Sequence, residues 1–180
     1  TTPQINSCRQ ITSGGDYSLT SDLTSTGSCI RIHDTSNVNL DCQNHSITAS
    51  GSLLSVSNVD NFFFFFCTIK TTNPNGIVTS GQINISYSDF GVLQNNTVVG
   101  DFIYIDSSNH LQIENNNSSA YYMQYGSSFN QILNNTFKVN PNIARRCVLC
   151  SNYGTNNVIQ NNRLDGQWDG VDYQYEDMDN

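Results

Sequence analysis

The sequence predicts an all-β solenoid, one chain wound into about six to seven short-stranded turns stacked on one another. Three observations predict it. The first is composition: 26 Asn, 22 Ser and 15 Thr stand in 180 residues, and charged residues make up only 12 %. Asn, Ser, Thr and Gly are poor in helix interiors and good in turns. The second is polarity. Apolar residues come in short runs that alternate with polar ones, the period of a strand with one buried face. The third is repetition at a period too short to hold a helix as well as strands.

The clearest repeat is Val92-Leu93-Gln94-Asn95-Asn96-Thr97-Val98. It recurs as Gln131-Ile132-Leu133-Asn134-Asn135-Thr136-Phe137 and as Val158-Ile159-Gln160-Asn161-Asn162-Arg163-Leu164, with a weaker copy at Gln112-Ile113-Glu114-Asn115-Asn116-Asn117-Ser118. The first Asn of each pair falls at 95, 115, 134 and 161, spacings of 20, 19 and 27. A second periodicity takes Ile32, Val56, Thr79, Ile105, Tyr125 and Cys150 as equivalent, with spacings of 24, 23, 26, 20 and 25. Asp89 to Gly100 departs from it and reads as a long turn. Residues 1–28 read as an N-terminal cap, 29–164 as the parallel β-helix, and 165–180 as an acidic, aromatic C-terminal arm. That arm carries the single Trp168 together with Tyr173 and Tyr175.

Inside the repeat, neighbouring Asn residues on an extended chain point to opposite sides. Asn96, Asn135 and Asn162 then face inward, where stacked amides form ladders that satisfy turn backbone groups. The Asn before each of them faces solvent. In Phe62-Phe63-Phe64-Phe65-Phe66, strand alternation sends Phe62, Phe64 and Phe66 into the core. Phe63 and Phe65 are left outside, where adjacent exposed rings mark an interface unless a local loop covers them.

Six cysteines, an even number without paired zinc-type spacing, favour disulfides and an oxidising, extracellular location. Cys8 and Cys29 flank the cap and would staple it to the first turn. Cys42 and Cys67 lie 25 residues apart, about one turn. Cys147 and Cys150 remain. They pair only if Val148-Leu149 turns, because extended i and i+3 Cα atoms lie ~10 Å apart against a usual limit of ~7 Å. Asn44, Asn84, Asn95, Asn116, Asn117 and Asn134 begin Asn-x-Ser/Thr sequons. Asn44, Asn95 and Asn134 share one place, three residues before Ile47, Val98 and Phe137, on the outward side. They are the first candidates for N-linked glycans, with Asn84 and Asn117 beside them, whereas the repeat turns Asn116 inward.

Two further segments carry a family resemblance. Ile11-Thr12-Ser13-Gly14-Gly15-Asp16-Tyr17-Ser18-Leu19-Thr20-Ser21-Asp22-Leu23 and Asn37-Val38-Asn39-Leu40-Asp41-Cys42-Gln43-Asn44-His45-Ser46-Ile47-Thr48 resemble the first strands of pectate-lyase-like right-handed parallel β-helices. The resemblance covers residues 8–164 and implies that fold with its right-handed winding. It says little about activity, because the fold hosts lyases, hydrolases, adhesins and structural proteins. Its lyases hold several acids on adjacent strands for calcium with an Arg as base, and its hydrolases hold a group of Asp near a His.

Here Asp16, Asp22, Asp34, Asp41, Asp60, Asp89, Asp101, Asp106 and Glu114 do not recur at one place in the repeat. His33 and Asp34 are adjacent and diverge on a strand. His45 and His110 sit at turns, and Arg145-Arg146 lack an acidic partner. No catalytic, cofactor-binding or metal-binding residues are assigned. The net charge of −8 argues against nucleic acid as a partner. The longest apolar run, Phe62 to Cys67, is too short to span a bilayer.

The expectation is a secreted structural glycoprotein subunit that associates with itself, head-to-tail into filaments. Phe63 and Phe65 of one copy would receive Trp168 or Tyr173 of the next. The alternative is a small polysaccharide-binding or polysaccharide-degrading protein with Tyr121, Tyr122 and Tyr125 as sugar platforms.

Overall fold

A computed structural model describes residues 2–72, 83–99, 102–118, 121–138, 149–165 and 175–177. Every described element is a strand, and the strands pair in parallel. After β1 (Gln4–Ile5), the first turn holds β2 (Arg9–Ile11), β3 (Gly15–Leu19) and β4 (Leu23–Ser25). The second holds β5 (Ile30–Asp41) and β6 (Ser46–Ala49), and the third β7 (Leu54–Phe65) and β8 (Thr68–Thr71). The fourth holds β9 (Ile83–Ser86), β10 (Val92–Gln94) and β11 (Thr97–Val99). The fifth holds β12 (Phe102–Asp106), β13 (Gln112–Glu114) and β14 (Asn117–Ser118), and the sixth β15 (Tyr121–Tyr125), β16 (Gln131–Leu133) and β17 (Thr136–Lys138). The seventh holds β18 (Leu149–Asn152), β19 (Val158–Gln160) and β20 (Arg163–Asp165), before β21 (Tyr175–Asp177).

Each turn offers three strand positions. The long β5 and β7 run through the first two without a break, which joins those positions into one 14-stranded sheet. The third position forms a 7-stranded sheet that runs from β4 to β20. The result is a parallel β-solenoid with no helix among the described residues. Residues 9–25, expected within the cap, pair in register with the second turn at all three positions.

Alternation sends apolar residues of successive turns into shared inward columns. At the first position Ile30, Leu54, Ile83 and Ile103 stack in register, none more than 1 % exposed. At the second, Leu40, Phe64, Leu93, Ile113 and Ile132 do the same. Each such side chain contributes roughly 1.5–3 kcal/mol by burial. Volume is traded between turns. The Phe62 ring reaches under the next turn, where a Cβ on Gly91 would meet it at 2.0 Å.

Three expectations from sequence are corrected. Ile32, Val56 and Ile105 do share a column, but Ile85, Gln124 and Ser151 complete it, in place of Thr79, Tyr125 and Cys150. In Tyr121-Tyr122-Met123-Gln124-Tyr125 aromatic residues fall on both faces, so alternation does not mark the inward one there, and Thr79 lies outside the described residues. Asp89 to Gly100 is no long turn; it supplies β10 and β11. Phe66 is not in the core. Its backbone is left-handed, with φ 55°, which breaks the alternation, leaves its ring 44 % exposed and sends Cys67 inward instead.

Candidate functional site: the corner columns

Left-handed backbone builds the corners. One column holds Asp34, Asn58, Tyr87, Ser107, Gly126 and Tyr153, all with φ between 47° and 57°. A second holds Asn37, Asn61, Phe90, His110, Phe129 and Asn156, and a third holds Asn44, Phe66, Asn95, Asn115, Asn134 and Asn161. Asn and Asp enter this region at little cost, whereas bulky side chains rarely do. Asn therefore dominates the third column.

The residue after Asn95, Asn115 and Asn134 turns inward, as expected from the repeat. Asn96, Asn116 and Asn135 are buried. Each accepts a hydrogen bond on Oδ1 from the backbone N–H of the turn before: Cys67 to Asn96 at 3.0 Å, Asn96 to Asn116 at 2.9 Å, and Asn116 to Asn135 at 2.9 Å. Asn162 takes the last, from Asn135 at 2.8 Å. Each Nδ2 donates to a backbone carbonyl one turn lower, on Phe64, Leu93, Ile113 and Ile132. Below the ladder, the corner of turns two and three is held by the disulfide Cys42–Cys67 instead, with a Cα–Cα distance of 4.8 Å.

A serine ladder runs at the corner between the first and second strand positions. Backbone N–H groups of Val59, Ser88 and Ser108 donate to the hydroxyls of Ser88, Ser108 and Ser127, each at 3.0 Å. Sequence reasoning missed it, although Tyr87-Ser88-Asp89-Phe90, Ser107-Ser108-Asn109-His110 and Gly126-Ser127-Ser128-Phe129 carry the signal at spacings of 20 and 19. Beside it Phe90, His110 and Phe129 stack outside the solenoid, with ring centroids 4.9 and 5.2 Å apart.

The expected glycan sites fall in two environments. Asn44, Asn95 and Asn134 are exposed in one corner column, and Asn117 is exposed on β14. Asn84 is half-buried in β9, with its Oδ1 buried and without a described hydrogen bond. Cys8 and Cys29 are bonded, with Cα atoms 4.4 Å apart, which ties the start of β2 to the start of β5. Cys147 and the Cys150 side chain lie outside the described residues. Phe63 is 45 % exposed and Phe65 half-buried. Trp168 and Tyr173 lie outside the described residues, as do the side chains of Tyr121, Tyr122 and Tyr175.

His33 and Asp34 do not diverge. The left-handed turn at Asp34 brings His33 Nδ1 within 3.0 Å of its carboxylate. Asn58 Nδ2 donates to the same carboxylate at 2.8 Å, and that bond, with His33 second, holds Asp34 below its ordinary pKa of 3.8. Asp22 is lowered too, chiefly by the backbone N–H of Ser46. Among the described residues no group of three or more His, Cys, Asp or Glu side chains could share a metal ion. None of the described helices is long and apolar enough to cross a membrane, since no helix is described.

By architecture the protein is a parallel β-solenoid with polar ladders at its corners. No protein-family model matches the chain, and no curated protein or solved structure matches it significantly.

Proposed function

We propose that this solenoid is a secreted structural glycoprotein subunit that associates end to end, with no catalysis of its own, and that its fold is the right-handed helix of the pectate-lyase-like group. One observation carries the reading: the 7-stranded sheet begins at β4 and ends at β20. Among the described residues, each of these strands pairs on one side only. An edge strand is a template for another strand. A second copy stacked in the same direction would continue the sheet through a heterologous contact, and such contacts give filaments rather than closed rings.

Two features support an outer surface built for assembly and modification. The exposed sequon residues Asn44, Asn95 and Asn134 share one column, so glycans there would crowd one edge and leave the ends free. Phe66 exposes an apolar ring within that column and Phe63 another on the strand that leads to it, and they are the surface we assign to the aromatic C-terminal arm.

Electron microscopy of the full chain and of a truncation after residue 165 tests the proposal. The full chain should form filaments that rise by roughly 30–35 Å per subunit, from about seven strand spacings of ~4.8 Å. The truncation should remain a folded monomer. A full chain that stays monomeric at high concentration defeats it, and a truncation that still polymerises strikes out the arm and leaves the edges of β4 and β20 as the contact.

A further inference from the structure

We propose that the corner around Asp106 binds an organic cation, an ammonium or guanidinium group held against tyrosine rings and one carboxylate. Register brings the cluster together. Asp106 lies opposite Tyr125 on the next turn and opposite Ser86 on the turn before. Tyr104 precedes Asp106 by two residues and so shares its outward face. Tyr87 and Tyr153 occupy the left-handed column alongside, on the fourth and seventh turns.

The rings face water. Tyr87, Tyr125 and Tyr153 are 65 %, 48 % and 71 % exposed. The Tyr125 and Tyr153 rings meet edge to face at 5.1 Å. Burial raises the Tyr104 hydroxyl above its ordinary pKa of 10.0, and the Asp106 charge raises it further, with smaller effects from Tyr125 and Tyr87. Asp106, Tyr125 and Tyr87 therefore each lie within electrostatic reach of Tyr104.

Two local choices go against conformational preference. Tyr87 and Tyr153 adopt φ of 50° and 57°, where the same column elsewhere carries Asp34 and Asn58. A bulky side chain held there is strained, and strain of that kind gathers at functional sites. Between them Gly126, at φ +55°, carries no side chain, and a Cβ there would find nothing nearer than Ser107 Oγ at 3.9 Å. Space does not require glycine. Its absence of a side chain leaves a recess between the two tyrosines, beside Ser107, whose hydroxyl bonds to Asp106 at 3.1 Å.

The chemistry of the recess selects its ligand. Aromatic faces attract ammonium and guanidinium through the ring quadrupole, and a nearby carboxylate adds a charge. The ionised residues on this corner in turns three to six are Asp60, Asp89 and Asp106, all acids, in a chain of net charge −8. An anionic ligand would be repelled on approach and a cation drawn in.

The full chain should be titrated with tetramethylammonium chloride while its tyrosine ring resonances are followed by NMR. Sodium chloride at equal ionic strength is the control. The blocked peptides acetyl-Gly-Lys-Gly-amide and acetyl-Gly-Arg-Gly-amide form two further arms that distinguish a free quaternary amine from a basic side chain. Saturable shifts at Tyr125 and Tyr153 are expected in at least one arm. Asp106→Asn and Tyr153→Asn should each weaken that binding at least fivefold, about 1 kcal/mol. Asn suits the left-handed position, so Tyr153→Asn keeps its fold, and an unchanged melting temperature would verify that. Shifts no different from those in sodium chloride, or saturable binding untouched by both variants, would overturn the proposal.

Discussion

Asn115 and Asn116 are neighbours of one residue type with opposite roles. Asn115 is exposed at a left-handed corner, where Asn is favoured for backbone reasons alone. Asn116 is buried and bonds to the backbone of Asn96 and Leu93 and to the side chains of Asn96 and Asn135. Replacing Asn116 with Leu strands a buried N–H and a buried C=O, each worth roughly 1–3 kcal/mol when unpaired. Asn116→Leu should therefore lower stability by roughly 3–5 kcal/mol in urea unfolding, and Asn115→Ala by only about 1 kcal/mol. Equal losses would show that the ladder does not stabilise the fold. Asp34 and Asp22 give a second test at this scale. Both are lowered in the folded state, so their contribution is complete above 3.8 and is lost as pH falls through the lowered values. Asp34→Asn should flatten the decline in melting temperature below pH 4 relative to the parent chain.

The elements are held by covalent staples where the ladder has not begun. Cys8–Cys29 and Cys42–Cys67 span separations of 21 and 25 residues within the first three turns. Loops of that size correspond to about 3 kcal/mol of stabilisation through the unfolded chain. The double variant Cys42→Ala/Cys67→Ala should lose about that much in a denaturant titration under oxidising conditions. No loss would mean that strand pairing between the second and third turns already secures that corner. Strand packing gives a sharper test at Gly91. Gly91→Ala places a methyl group against the Phe62 ring, which itself packs at a tilt on Phe64 with centroids 5.2 Å apart. Overpacking of this kind typically destabilises by 1–3 kcal/mol, and Phe62→Leu in the same chain should recover part of it. The five-phenylalanine run was legible as a strand with alternating faces as far as Phe65. It was not legible at Phe66, because the alternation ends where the backbone becomes left-handed, and Phe is a poor marker of such a position.

At the scale of the molecule, each turn touches only its neighbours, so stability is distributed as in a one-dimensional array. Hydrogen exchange should be slowest at the backbone N–H of Asn96 and Asn116, in the middle of the ladder, and faster at Arg9 to Ile11 and Val158 to Gln160. Uniform protection along the axis would indicate all-or-none unfolding instead. The double-Asn repeat announced the third corner and its inward ladder from the amino acids alone, since a residue type recurring at one spacing must stack if the turns stack. The spacing of Cys42 and Cys67 pointed to their disulfide for the same reason, whereas Cys8–Cys29 was expected from the two residues flanking the first segment. The serine ladder was harder to see. Ser is common throughout this chain, so its recurrence at 88, 108 and 127 does not stand out from composition.

The sequence by itself determined the class of fold, the period and the inward face of the asparagine corner. Those follow from alternation and from repeats within one strand and its turn, which are local properties of the chain. Only the tertiary structure decided the register across the longer connections, which moved the first column from Thr79 to Ile85. It also decided the pairing of His33 with Asp34, the placing of Tyr125 opposite Asp106, and the contact of the Tyr125 ring with Tyr153. The physical reason is one: these residues meet through left-handed corners and hydrogen bonds between turns. No short-range pattern encodes which residue of one turn will lie above which residue of the last.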